Sequence, residues 1–321
     1  MEIESARLSA RAAIRQGFRL VRRAPSAVWV LFVANMLLAV VAGLPIYHGM
    51  LQFTSHSLMS RNLLTGYSVD WLADFAFNNP GSLEHYAQFI VVMGLLALPV
   101  NAILAGGVLA RFQRLQERFR LRTFFRDCGR HTWRMLWLMV MALICYWAVF
   151  RFVNAGLGGL VDQTTLYWMN DRSVFAAHLG VDLLVILLLV FVNMVIEFAQ
   201  IRIVYDGSGF LEAFLAALGF SIGRLPRAIV VYAIPSLCGL ALLGIYRLVT
   251  PWHIIHAALG DSAGPSYEAA FVLGILFVGQ QLVMFGRYYF RVATWASEWS
   301  YFASTRGPAS PTETSGKRAA A

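Results

Sequence analysis

The chain has 321 residues, of which 59% are hydrophobic and 13% are charged, whereas an average soluble domain has about 25% charged residues. This composition excludes an ordinary soluble domain and is typical of an integral membrane protein. Lys and Arg total 26 and Asp and Glu total 17, which gives a formal net charge of +9. Bases are attracted to anionic headgroups by about 1 kcal/mol each, which accounts for the excess without a nucleic-acid partner.

Six apolar runs divide the chain. A hydrocarbon core about 30 Å thick needs roughly 20 apolar residues per helix, and each run has that length. The predicted transmembrane helices lie near 27–47, 88–109, 135–155, 179–201, 228–249 and 269–289. The runs therefore predict a multi-pass helical protein.

The basic residues indicate the orientation of these helices. Four segments that would share one side of the membrane hold 22 of the 26 bases. The positive-inside rule places that side in the cytoplasm, together with both termini. We expect a bacterial inner-membrane protein. An Arg-rich start is also typical of a mitochondrial presequence, but Glu2 and Glu4 argue against one.

The order of the segments predicts an all-α integral membrane protein whose six spans form three hairpin repeats of the same orientation. Each hairpin opens with a basic or amphipathic cytoplasmic segment. We predict a basic amphipathic interfacial helix at 1–26, one transmembrane domain at 27–302 and a disordered cytoplasmic tail at 303–321.

The cytoplasmic segments carry arginines and apolar residues at helical spacing. Those expected to contact anionic headgroups are Arg7, Arg11, Arg15, Arg19, Arg22, Arg114, Arg118 and Arg122. A third segment, 209–227, has an apolar stripe of Leu211, Leu215, Leu218, Ile222 and Leu225. Two placements fit such stripes. The helices lie in the membrane interface with the apolar face down, or they are cytosolic helices that cap the bundle.

Polar residues recur in the second helix of each predicted hairpin. They form a candidate intramembrane cluster of Asn101, Asn193, Glu197, Gln200, Gln280 and Gln281. Three like-oriented hairpins can be related by a threefold axis along the membrane normal, and we expect the amides to converge near it. Two interpretations stay open. The amides join helices, at about 0.6 kcal/mol per hydrogen bond, or they line a polar path or binding site.

Glycines and a proline mark the second span. Pro99 removes a helical hydrogen-bond donor, and the pair Gly106 and Gly107 permits close approach of another helix. The same features occur in substrate sites and in ordinary membrane bundles.

Catalytic and metal-binding patterns are weak. We found neither a His-Glu-x-x-His helix nor a phosphate-binding Gly-x-x-x-x-Gly-Lys loop. His253 and His256 stand three residues apart, but a zinc site needs three or four ligands. We therefore expect a protein without enzymatic activity, a cofactor or a metal.

Two short stretches resemble a known family. The run NAILAGGV at 101–108 is similar to the second span of uncharacterised bacterial six-span inner-membrane proteins of the YciC type. The run VYDGSGFLEA at 204–213 resembles the segment directly after their fourth span. The resemblance implies an inner-membrane helical bundle. A related architecture occurs in the membrane domain of some glycerophosphodiester phosphodiesterases, whose catalytic domain has no counterpart in this chain.

The sequence supports three functional hypotheses. The first is a non-enzymatic scaffold that organises envelope components, with the anionic bilayer as its partner. The second is a transporter that uses the mid-membrane amides and Glu197. The third is a membrane-embedded enzyme that modifies a lipid. A membrane-protein partner and a homo-oligomer are both compatible with the sequence.

Overall fold

The computed structural model describes residues 8–54, 73, 77, 81–165, 170–250 and 267–306. This part of the chain is helical and contains no β-strand. Its helices, in chain order, are α1 (Ala10–Arg23), α2 (Pro25–Thr54), α3 (Ser82–Gln113), α4 (Leu121–Ala148), the π-helix Val149–Asn154, α5 (Ala155–Thr165), α6 (Asp171–Asp206), α7 (Phe210–Gly223), α8 (Leu225–Val249) and α9 (Tyr267–Arg306).

Some sequence predictions fall outside the described residues. They concern Arg7, the histidines His253 and His256, and the predicted tail from residue 307 onward. The first residues of that predicted tail, 303–306, belong to α9. There the hydroxyls of Ser304 and Thr305 donate hydrogen bonds to backbone carbonyls one turn earlier.

Five helical stretches in the described part are long and apolar enough to cross a membrane. They are Pro25–Gly49, Glu84–Gln113, Leu121–Thr165, Asp171–Asp206 and Leu225–Val249. Each contains one of the first five predicted spans, so the chain is a helical membrane protein. The sixth predicted span, 269–289, lies inside α9, which is not among the five. The count of six spans and the threefold repeat therefore stay predictions.

The chain forms two compact units. Unit 1 comprises Met1–Ala24, Ala102–Pro235 and Val292–Ala321, and unit 2 comprises Pro25–Asn101 and Ser236–Arg291. Unit 1 thus holds α1, the second part of α3, the helices α4 to α7, the start of α8 and the end of α9. Unit 2 holds α2 and the remaining parts of α3, α8 and α9.

The end of α9 forms the centre of unit 1. Every residue from Val292 to Phe302 is buried, and Ser297 and Glu298 are completely so. Aromatic rings surround this stretch, with Trp299 against Phe112 of α3 and against Tyr205 of α6. The sequence analysis placed these residues after the last predicted span, at the end of the predicted transmembrane domain, and did not identify them as core.

Helix α1 packs its apolar face onto that core. Ala13, Ile14, Gly17 and Val21 are buried, while the arginines at 11, 15, 19 and 22 are exposed. At Gly17 the helix meets the backbone of Ser297, because an added Cβ would lie 2.7 Å from the Ser297 Cα. Protein therefore covers the apolar face of α1, which would contact lipid if the helix were inserted in the membrane interface. The apolar face of α1 thus packs on protein, as the capping placement expects, while the position of this helix relative to the membrane stays a prediction.

Helix α7 has the opposite arrangement. It buries the small residues Ala213, Ala217 and Ser221, and it leaves Leu211, Leu215 and Ile222 of the predicted apolar stripe exposed. An exposed row of large apolar side chains on a membrane protein suits contact with lipid. The apolar stripes of α1 and α7 thus differ in whether protein covers them, and the interfacial placement of α7 stays a prediction.

Unit 2 is held by aromatic and amide contacts. Trp29 and Phe32 of α2 contact Phe285 of α9, with ring centroids 4.7 and 5.6 Å apart. Gly286 of α9 faces Leu242 of α8, where a Cβ would lie 2.5 Å from a leucine methyl group. A pair of asparagines, Asn35 and Asn101, joins α2 to α3.

The contact between α1 and α9 predicts the effect of adding one methyl group. Gly17→Ala places a Cβ 2.6 Å from the Ser297 backbone nitrogen, so we expect it to lower the free energy of unfolding by about 1–3 kcal/mol, as overpacking does. Unfolding by SDS titration of the detergent-solubilised protein measures this. The matched control is Gly219→Ala in α7, where nothing lies within 4 Å. There we expect no loss, because alanine favours a helix by roughly 0.5–1 kcal/mol over glycine. Equal stability of the two variants would contradict the packing.

Candidate functional site

A partly buried polar cluster in unit 1 joins three helices. It consists of Tyr146 from α4, Asn193 and Glu197 from α6, and Tyr232 from α8. We call these four residues the polar cluster. The carboxylate of Glu197 lies in its interior, since this residue is only 1% exposed.

Asn193 is the centre of the polar cluster. Its side-chain nitrogen donates to Glu197 Oε1 over 2.9 Å and to the Tyr232 hydroxyl over 2.7 Å. Its side-chain oxygen accepts from the Tyr146 hydroxyl over 3.2 Å. An amide has two N–H donors, so both are used. One amide therefore connects α6 to a helix on either side.

The local structure of α6 explains this position. Residues four apart lie on the same face of an α-helix, which places Asn193 above Glu197. The stretch from Met194 to Ala199 is buried all the way around the helix. Such a helix lies among other helices, since a lipid-facing helix would have one exposed side. The carboxylate is thereby withdrawn from hydrocarbon, where a charge costs about 2.5–3.5 kcal/mol or more.

Asn101 takes part in a separate pair in unit 2. Its amide exchanges two hydrogen bonds of 3.0 Å with Asn35 of α2. Each amide nitrogen also donates to a carbonyl one turn earlier in its own helix, Ala97 for Asn101 and Leu31 for Asn35. The pair therefore uses all four of its N–H groups. The sequence analysis singled out Asn101 but not Asn35.

The other predicted cluster residues lie apart from these contacts. Gln200 is on α6, one turn after Glu197, and its buried Oε1 has no hydrogen-bond partner among the described residues. On α9, Gln280 is exposed and Gln281 is half-buried. The structure thus joins Asn193 to Glu197 and Asn101 to Asn35. Convergence of the amides on a common axis stays a prediction.

The tyrosines of the polar cluster were missed at the sequence level. Tyr146 and Tyr232 stand in apolar runs, where a tyrosine is usually assigned to a membrane interface. No pattern in the sequence links them to Asn193, which is 47 residues from one and 39 from the other. Only the packing of three helices brings the hydroxyls to the amide.

The predicted headgroup arginines differ in exposure. Arg11, Arg15, Arg19, Arg22, Arg118 and Arg122 are exposed. Arg114 is half-buried and forms an ion pair with Asp127 of α4 at 3.2 Å. This arginine therefore has a partner within the protein as well as access to the surface.

Other charged groups close the end of α6. Gly207, with φ of +69°, terminates the helix in the left-handed conformation that favours glycine. Arg134 of α4 donates to the Gly207 carbonyl over 2.8 Å. Asp206 is bonded by Arg306 of α9 and lies 3.5 Å from Arg202. These contacts order the residues between α6 and α7.

Metal-ligating residues and catalytic sequence patterns add no further candidate site among the described residues. No group of three or more His, Cys, Asp or Glu residues in the described part could hold a metal ion. A Gly-x-Ser-x-Gly pattern occurs at 260–264, outside the described residues. It marks a nucleophile only on a strand-to-helix turn, and we assign it no role.

Comparison with known proteins leaves the site to be judged by its own geometry. No protein-family model, curated protein or solved structure matches the chain.

The asparagine pair predicts a measurable coupling. A double-mutant cycle of Asn35→Ala, Asn101→Ala and the double variant isolates their interaction. We expect a coupling free energy of about 0.6–1.7 kcal/mol, the range found for hydrogen bonds between transmembrane helices. The measurement is SDS unfolding of each variant in the same detergent. A parallel cycle of Asn101→Ala with Tyr146→Phe, a residue of the polar cluster whose hydroxyl bonds to Asn193, should show additivity. Additive losses at Asn35 and Asn101 would mean that the two amides do not interact.

Proposed function

We propose that this protein is a non-enzymatic scaffold of the bacterial inner membrane that gathers anionic lipids at its cytoplasmic end. The observation that carries the proposal is the exposed row of arginines on α1, a helix whose other face is packed into the protein. The proposal agrees with the resemblance to six-span inner-membrane proteins, which is likewise a proposal.

The arginine row consists of Arg11, Arg15, Arg19 and Arg22. These residues succeed one another at steps of four, four and three, so they share one face of α1 and span about 16 Å along it. The sequence of α1 contains no acidic residue to neutralise them. Near an anionic membrane surface each base contributes about 1 kcal/mol, so the row contributes roughly 4 kcal/mol.

Attachment of α1 to the core makes this row effective. Because Gly17 lies against Ser297, the arginines are held on a folded surface and lose little conformational freedom when they bind. A loose basic segment would have to be ordered at the moment of contact. The row therefore suits a permanent contact surface for the headgroups around the protein.

The polar groups inside the bundle support a structural role for the interior. Both N–H donors and the oxygen of the Asn193 amide form hydrogen bonds with neighbours in the polar cluster. The amides of Asn35 and Asn101 do the same with each other. Bonds of this kind fix the positions of helices, and they occupy the groups that a passing solute would need.

A transporter is the second candidate, and Glu197 is the observation that favours it. A carboxylate that is 1% exposed, and whose amide partner also bonds two tyrosine hydroxyls, is the kind of group that carries protons in pumps and carriers. Exchange of its proton with either side of the membrane would couple the polar cluster to transport.

Lipid composition around the protein tests the scaffold. Wild-type protein extracted with its native lipids by a membrane-active polymer should be enriched in anionic over zwitterionic lipid, as measured by mass spectrometry. The variant with Arg11→Gln, Arg15→Gln, Arg19→Gln and Arg22→Gln should lose most of that enrichment, because four attractions of about 1 kcal/mol each are removed. The control is Arg151→Gln with Arg172→Gln, two exposed arginines of the segments predicted to lie on the opposite side. Undiminished enrichment in the α1 variant would refute the proposed contact.

Proton flux separates the two candidates. We expect proteoliposomes with an internal pH-sensitive dye to show no more flux with wild-type protein than without it. Glu197→Gln keeps an oxygen that can accept from Asn193, so this variant should fold normally and behave like wild type. Flux that appears with the wild type and disappears with Glu197→Gln would overturn the scaffold and establish a carrier.

A further inference from the structure

A pocket opens where α3 ends and α4 begins, wholly within unit 1. It is a shallow recess that opens to solvent, and not an enclosed cavity. A recess of this kind can contact an anionic group that approaches from outside the protein. We call it the arginine pocket, and its polar lining includes Arg111, Arg114, Arg118, Arg120, Thr123 and Asp127.

Close approach of the two helices creates this pocket. Gly107 of α3 faces α4 so tightly that a Cβ would lie 2.8 Å from the ring of Phe124. The link between the helices then has to fold back over the gap, and two turns do so, with Arg114 N–H bonding to Arg111 and Glu117 N–H bonding to Arg114. The arginines of the link are thereby brought around one opening.

Arg111 holds the wall of the pocket in shape. Its guanidinium donates to the carbonyls of Arg114 over 2.6 Å and of Glu117 over 2.8 Å. Both acceptors are neutral, so these bonds order the link but leave the positive charge uncompensated. The Nε of Arg111 is buried and has no hydrogen-bond partner among the described residues.

The charge of the lining is unbalanced. Asp127 is engaged with Arg114 at 3.2 Å, which leaves Arg111, Arg118 and Arg120 facing the single carboxylate of Glu117. Guanidinium groups bind phosphate oxygens through pairs of parallel N–H donors, and such charge-assisted bonds are about twice as strong as neutral ones. The pocket therefore favours an anion with several oxygens.

The start of α4 adds donors of the same kind. The helix has 28 residues, begins at Leu121 after Arg120, has no side-chain cap and carries no acid in its first turn. The N–H groups of that turn lack intrahelical partners and form the positive end of the helix dipole. Thr123, whose side chain carries a hydroxyl, also lines this pocket. Backbone donors beside arginines are the elements of a phosphate site.

We propose that the arginine pocket binds a phosphate group, either that of a lipid headgroup or that of a soluble phosphate compound. The two sources present the same oxygens to the arginines. The site goes beyond the proposed scaffold, because the row on α1 attracts any anionic surface, whereas this pocket takes one phosphate group per chain. It also gives Arg114 and Arg118 a role inside a pocket, in place of the general surface contact that the sequence predicted.

Binding to the purified full-length protein tests the site with two probes. Inorganic phosphate is titrated into protein held in phosphatidylcholine nanodiscs and followed by calorimetry. In the other arm, phosphatidic acid is added to the nanodiscs and counted on the protein by native mass spectrometry. We expect saturable binding of one equivalent in at least one arm. The probe that saturates at the lower concentration identifies the source.

The decisive variant is Arg118→Gln with Arg120→Gln. Both side chains are exposed, so their loss should not disturb the fold, and we expect affinity to fall tenfold or more. The control, Arg126→Gln with Arg130→Gln, removes two exposed arginines of the adjoining helix α4 that do not line the pocket, and its affinity should change less than twofold. Should the first variant fold poorly, Arg118→Lys with Arg120→Lys keeps the charge and loses the paired donors, so weaker binding is again expected. Equal losses in variant and control, or no saturable binding of either probe, would overturn the proposal.

Discussion

Asn193 supplies the hydrogen bonds on which the buried polar interior of unit 1 depends. A membrane offers no water to satisfy a polar side chain, so each such group needs a partner inside the protein. This one amide bonds Tyr146, Glu197 and Tyr232 at the same time. It thereby fixes α4 and α8 against α6 and makes the burial of a carboxylate tolerable. In unit 2 the pair Asn35 and Asn101 meets the same requirement with two residues.

Close packing at small residues is the second constraint on unit 1. The end of α9 can lie at the centre because alanine and serine alternate with its aromatic rings, and the serine hydroxyls bond to carbonyls of their own helix. Gly17 brings α1 against this core and Gly107 brings α3 against α4. Each of these helix contacts affects the surface. The contact of α1 with the core exposes a row of arginines, and the contact of α3 with α4 brings the basic link between them around a pocket.

The sequence and the structure agree best on properties that depend on neighbouring residues. Run length and hydropathy were sufficient for five spans, and the sequence grouped Asn193 with Glu197, which the structure joins by a hydrogen bond within one helix. The apolar stripes were less informative. Those of the first and third segments before the predicted hairpins looked alike, yet the stripe of α1 is covered by protein while α7 exposes Leu211 and Leu215. An amphipathic pattern indicates that one face of a helix is apolar and the other polar, but it does not indicate whether protein, lipid or water contacts each face.

The sequence by itself determined that the chain is a helical membrane protein and where its basic segments and most of its spans lie, because helix length, hydropathy and periodicity are local properties. Only the tertiary structure decided that two tyrosines and Asn35 complete the hydrogen bonds of the predicted amides, that Glu298 is buried in a core, and that four arginines share one pocket. These partners come from distant parts of the chain or from the fold of a short link. Whether these residues come into contact depends on which helices pack side by side, and the spacing of residues along one helix does not determine that packing.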